Sequence, residues 1–95
     1  MAFVRLAFFP DATAEHFEAL AGRMGGDVSP AGRLVFAAGA VAGGWQVVQV
    51  WHDRALLEEF NREHFLPALA SLGPHAFPAP PRITDFSTST LAVTP

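Results

Sequence analysis

The chain contains no cysteine, no lysine and no tyrosine. Without thiols it has no disulfides, no thiolate metal ligands and no sulfur nucleophile, while the redox compartment stays open. Without lysine its basic residues are six scattered arginines against nine acids, a formal charge of −3. That balance argues against a nucleic-acid partner, which needs clustered cations to displace counterions. Charged residues make up 16% of the sequence, where soluble domains average about 25%. No apolar run approaches the length of a membrane span. Met1-Ala2-Phe3-Val4-Arg5 lacks the basic start and long apolar stretch of a secretion signal, so a cytoplasmic location is the default expectation. Gly25-Gly26 and Gly43-Gly44 have neither the spacing nor the following lysine of a phosphate loop. No GxSxG elbow or carboxylate pair marks a hydrolase.

What the chain has in quantity is apolar surface: 51% hydrophobic residues, nine Phe and two Trp in 95 residues. Residues 1–95 are read as one domain. Ala2 to Phe9 alternates imperfectly and reads as a strand with little polar relief on either face. Pro10 ends it, and Asp11 or Thr13 can cap a helix whose Phe17, Leu20, Ala21 and Met24 recur at helical spacing. Gly25-Gly26 stops that helix, and Asp27 to Gly32 is a loop. Arg33–Ala40 is a second strand, and Gly39–Gly44 reverses the chain into a third, Trp45–Trp51. Asp53 is the N-cap of a second helix on which Leu57, Phe60, His64, Ala68 and Leu72 share a face. Pro67 removes a backbone donor and predicts a kink, or a break into two pieces, just before it. Arg82–Val93 reads as a last strand.

The order β-α-β-β-α-β is the ferredoxin-like arrangement, an α+β fold with two helices on one face of a four-stranded antiparallel sheet. The opposite face, expected to carry Phe9, Val35, Ala37 and half of the third strand, needs cover. Two copies packed sheet to sheet supply it. At roughly 25 cal/mol per Å2 over an obligate interface of about 2,000 Å2, the drive outlasts the entropy of association. A homodimer is predicted.

Gly44-Trp45-Gln46-Val47-Val48-Gln49-Val50-Trp51, the acidic cap, Phe60 and Phe65-Leu66-Pro67-Ala68-Leu69 resemble the dimeric α+β barrel superfamily. Within it the likeness is to the antibiotic biosynthesis monooxygenase-like proteins. The resemblance implies a pocket in each subunit between helices and sheet, taking a hydrophobic or aromatic small molecule without a permanent cofactor. It implies a cofactor-independent monooxygenase or a proton-transfer (isomerase-like) enzyme of secondary metabolism. The oxygenases of this superfamily surround a phenolic substrate with Asn, Trp, Arg and Tyr; here Tyr is absent and Asn61 is the single asparagine. Heme-degrading members use a helical histidine near an aromatic ring, which His64 with Phe60 resembles. A non-catalytic dimeric binding protein and a heme-binding protein are the alternatives.

His64 is the sharpest catalytic candidate, because an imidazole on an apolar stripe needs a partner. It would serve as general base or hydrogen-bond donor. The bland alternative is a satisfied core histidine, or one turned to solvent by the Pro67 kink. His52, beside Asp53 at a strand-to-helix corner, is a second candidate, or simply a surface residue. His16 and His75 are read as solvated. No histidine pair stands at metal-binding spacing, so no metal is expected. Trp45, Trp51, Phe8, Phe36, Phe60 and Phe86 are candidate ligand walls, each also explicable as core or interface packing. Arg5 and Asp85, polar interruptions on what read as outer strands, are expected to pair with one another or across the dimer. Arg33 can meet a carboxylate or phenolate, or lie exposed.

Overall fold

The computed structural model describes residues 1–25 and 30–94. Its elements run β1 (Phe3–Pro10), α1 (Ala14–Arg23), β2 (Arg33–Val41), β3 (Gly44–Trp51), α2 (Arg54–Phe60), a π turn (Asn61–Phe65), α3 (Leu66–Leu72) and β4 (Arg82–Ser87). Gly26, expected to help stop α1, and residues 27–29 of the expected loop lie outside the described residues.

The four strands form one antiparallel sheet in the order β2-β3-β1-β4. This is the ferredoxin-like α+β fold. β1 is therefore an inner strand, not an outer one. The β2–β3 reversal is a tight turn at Ala42-Gly43, with Gly43 at φ 83, a left-handed backbone that glycine adopts without penalty. A Cβ on Gly44 would strike the Phe9 carbonyl, so only glycine admits β1 this close to the hairpin.

Strand parity decides what each face carries. Phe3, Arg5, Ala7 and Phe9 of β1 stand opposite Trp51, Gln49, Val47 and Trp45 of β3, and these side chains face the helices. Phe9 is thus on the sheltered face, 5% exposed, and not on the open one as the alternation suggested. Its ring meets Phe17 of α1 edge to face at 4.8 Å and Phe77 at 5.0 Å. At the other end of the sheet Phe3 and Trp51 pack with Leu57 and Phe60. The opposite face carries Leu6, Phe8, Val48, Ala37 and Phe86 by the same registers.

Both helices start as their sequences dictate. The Thr13 N–H donates to His16 Nδ1 at 2.9 Å, closing one half of a capping box. Asp53 Oδ1 accepts the Leu56 N–H at 3.0 Å, a cap worth about 1 kcal/mol. The second helix keeps going through Pro67. The interruption expected just before Pro67 is a π turn, closed by the Leu66 N–H donating to the Asn61 carbonyl. β4 stops at Ser87, opposite Phe3 where β1 begins, and falls short of the expected Val93. Thr88 marks the end, its N–H and Oγ1 both donating to the Ala2 carbonyl, at 2.8 and 3.2 Å.

Candidate functional site

Between the helices and the sheet lies a cavity of about 490 Å3. It exists because the middle of the sheltered face is built from small side chains. The row Ile83–Ala7–Val47–Ala38 crosses all four strands, and all four residues line the cavity. Ala14 and Ala21 of α1 leave room above. Larger rings stand around this gap: Phe9, Phe17 and Trp45 at one end, Phe60, Phe65 and Phe36 at the other. Phe17 stacks on Trp45 at 5.6 Å with 20° between planes. Phe36 and Ile83, each about half exposed, sit on the edge strands where the cavity meets solvent.

A second row gives the floor its polarity. Asp85–Arg5–Gln49–Phe36 runs across the sheet in register. Arg5 grips Asp85 with two parallel bonds, Nε to Oδ1 and Nη2 to Oδ2, both 2.9 Å. These are the two polar interruptions of the sequence, paired within one chain. The hydrogen bond from Arg5 holds the Asp85 carboxyl below its usual pKa, and Asp85 raises that of Arg5 in return. Gln49 Oε1 accepts the indole N–H of Trp51 at 3.0 Å. Arg33 comes from the start of β2, its guanidinium carbon 4.6 Å from the Phe36 ring centre and 5.6 Å from that of Phe60. Burial away from water lowers its pKa. Trp45 Nε1 is buried with no hydrogen-bond partner among the described residues.

The π turn decides which helical residues reach the cavity. A turn with i→i+5 bonds inserts one residue into the helical repeat. The inward stripe therefore passes from Phe60 and Asn61 to Phe65 instead of His64. Asn61 and Phe65 line the cavity, and Phe65 also packs against the Phe3–Trp51–Leu57–Phe60 core. His64 is exposed, its ring 5.4 Å from that of Phe60 on the outer side. Of the alternatives its spacing left open, His64 takes the one turned to solvent and not the buried position on the apolar stripe.

The other sequence-derived candidates divide clearly. Trp45, Phe60 and Phe36 line the cavity. Trp51 does not: with no exposed surface, it is packed behind the wall, and its contribution is the bond that orients Gln49. Phe8 and Phe86 have the opposite parity, paired with Gln46 and Val4, and lie on the far face. His52 is exposed at its corner, with Nδ1 3.5 Å from Asp53 Oδ2. The Asp53 carboxyl is held below its usual pKa, chiefly by the Leu56 N–H and then by His52. His75 borders a separate, wider depression near Leu66, Phe77 and Pro81. Arg5, Gln49, Asn61 and Phe65 were not among the sequence candidates for this pocket. For Gln49 the signal was present, since it shares strand parity with both tryptophans.

No histidine is among the described residues lining the cavity, so the site lacks the histidine axial ligand that a heme reading of His64 requires. Nowhere among the described residues do three His, Asp or Glu side chains converge as for a metal ion. No helix among them is long and apolar enough to cross a membrane.

No protein-family model matches the sequence, and no curated protein matches it. Solved structures do match its fold. Rv0793 from Mycobacterium tuberculosis superposes with a TM-score of 0.69 at 20% identity, over 97% of this chain and 98% of that one. SnoaB, a cofactor-independent oxygenase from Streptomyces nogalater, was solved with its asparagine replaced by alanine at one position. It gives 0.62 at 13% identity over 95% and 94%. A monooxygenase from ActVA-Orf6 of Streptomyces coelicolor, in complex with nanaomycin D, gives 0.58 at 20% over 99% and 93%. The chain thus shares the fold of these proteins, the fold that the Trp45–Trp51 and Phe65–Leu69 segments suggested.

Proposed function

We propose that the protein is a homodimer that binds a flat aromatic small molecule in the cavity between its helices and its sheet. The observation that carries this reading is the cavity: about 490 Å3, within the range of small-molecule sites, roughly 300–1,000 Å3, and walled by Phe9, Phe17, Trp45, Phe60 and Phe65. Rings that line a gap without filling it favour a ligand that stacks. The nanaomycin D complex of the fold relative from Streptomyces coelicolor supports the same ligand class. Dimerisation is supported by the far face, where Val41 and Phe86 are 44% and 49% exposed on a mostly apolar sheet surface.

The direct test is fluorescence titration with nanaomycin D, reading Trp45 in the cavity wall. Saturable quenching is expected in the natural chain. Ala38→Phe, which puts a ring into the gap from the cavity floor, should weaken binding by at least about tenfold while leaving the far-ultraviolet circular dichroism unchanged. Equal binding by that variant would sink the reading.

A second reading, oxygenation of the bound aromatic without a cofactor, is favoured by the position of Asn61 in the cavity wall and by the oxygenases among the fold relatives. Oxygen uptake on adding an electron-rich anthrone, abolished by Asn61→Ala with binding retained, would support it. Binding without uptake leaves a non-catalytic binding protein. Proton transfer by His64 draws no support from its exposed position.

A further inference from the structure

Resting on the cavity's being a ligand site, we infer that the ligand is an aromatic carboxylate, seated with its carboxylate on the polar row of the sheet beside Arg5, Gln49 and Arg33. An indole nitrogen only donates, so the atom of Gln49 that meets Trp51 Nε1 at 3.0 Å is the carbonyl oxygen. That bond consumes the acceptor of Gln49 and leaves its NH2 group, which has no protein partner among the described residues, to face the cavity the side chain lines. Arg5 commits two of its five N–H donors to Asp85 and has three left. Arg33 places its guanidinium 4.6 Å over Phe36, the strand partner of Gln49.

The floor at this row therefore offers donors beneath a cavity whose remaining lining is mostly apolar. A ligand that displaces water from those donors must supply acceptors in its place. The group that matches several donors at once, and tolerates loss of water only when they are present, is a carboxylate. The acceptors among the lining side chains, Asn61 and Glu18, stand on the helical wall and not on the floor. The chain's net charge of −3 would repel anions at long range, so the preference is local and survives screening by salt. The aromatic body of the ligand then lies over Ala7, Val47 and Ala38, against Phe17 and Trp45.

The probes are anthraquinone-2-carboxylate and its neutral primary amide, nearly equal in shape. Calorimetric titration of the natural chain is expected to favour the carboxylate by about tenfold or more in Kd. Gln49→Glu keeps an acceptor for Trp51 Nε1 but replaces the donor with a negative charge. It should abolish or invert the preference while amide binding stays within about threefold. Should that variant misfold, Arg33→Gln is expected to shrink the preference by a similar factor with Gln49 intact. Equal affinities in the natural chain, or loss of both ligands in parallel in a folded variant, would overturn the inference and leave the aromatic site standing. Failure of both probes and of nanaomycin D to bind would overturn the site itself.

Discussion

The two faces of the sheet are written by alternate residues of the same four strands, yet one holds a cavity and the other a mostly apolar surface with no helix over it. On the helical face, small residues in the middle (Ala7, Ala38) are flanked by rings at both ends, Phe9 with Trp45 and Phe3 with Trp51. Rings hold the helices off the sheet and alanines leave the space beneath them empty. On the far face Leu6, Val48 and Ala37 stand in one row with Thr84, side chains of graded size with no helix above. Apolar content alone therefore does not separate a ligand site from an interface. The sequence of sizes along a register row does.

The largest effect is expected from breaking the far face. Val48 lies at its centre, between Leu6 and Ala37. Val48→Glu would place a carboxylate where a second sheet is proposed to pack, and desolvating it without a partner is prohibitive. The dimer dissociation constant, measured by sedimentation equilibrium, should rise by about a thousandfold or more, roughly 4 kcal/mol. A natural chain that sediments as a monomer at micromolar concentration would remove the reason for an apolar surface on that side.

A smaller effect is expected from the polar row of the cavity face. Arg5 is half-buried, and Asp85 lies on the exposed edge strand with its side chain folded against Arg5. Arg5→Met would leave the Asp85 carboxylate without its partner, at a cost of about 1 kcal/mol in a urea melt. The same pair sets a pH dependence. Asp85 has a folded-state pKa below its unfolded one, so the unfolded chain binds the proton first on acidification. The stabilisation is complete a unit or more above the unfolded value, which lies near 4. It declines from about pH 5 downward and is gone once pH passes below the folded value. Asp53 acts in the same direction, which makes the comparison with Asp85→Asn necessary. That variant should show a shallower loss of stability between about pH 5 and pH 2. An unchanged slope would mean that the pair contributes nothing.

Much of the frame was legible before any coordinates. The Asp53 cap, the Thr13 start, the Trp45–Trp51 strand and the β-α-β-β-α-β order follow from local rules that tertiary packing did not override. The pairing of Arg5 with Asp85 was legible too, since each was the polar exception on an apolar strand. The cavity was not. A gap is made of volume that is missing at Ala7 and Ala38, and an alanine in a strand reads the same whether it is packed against or left open. The placement of Phe9 failed because both faces of β1 are apolar, so alternation could not say which faced the helices. β4 was overdrawn because a Thr-rich tail has strand propensity whether or not a partner strand remains to pair it.

The smallest expected effect concerns the residue that looked most like chemistry. A regular 3.6-residue repeat places His64 in line with Leu57, Phe60 and Ala68, and the π turn removes it from that line. The spacing of five between Phe60 and Phe65, followed by Pro67, was the available sign that the repeat is interrupted. Because its imidazole lies in solvent against the outer edge of Phe60, His64→Ala should change stability by no more than about 0.5 kcal/mol. Affinity for nanaomycin D should be unaltered. Phe65→Ala, one residue along, should instead cost about 3 kcal/mol and weaken the ligand, because that ring is both core and wall. If the histidine variant loses binding and the phenylalanine variant keeps it, the helix follows the α repeat after all, and the wall of the cavity has been assigned to the wrong residues.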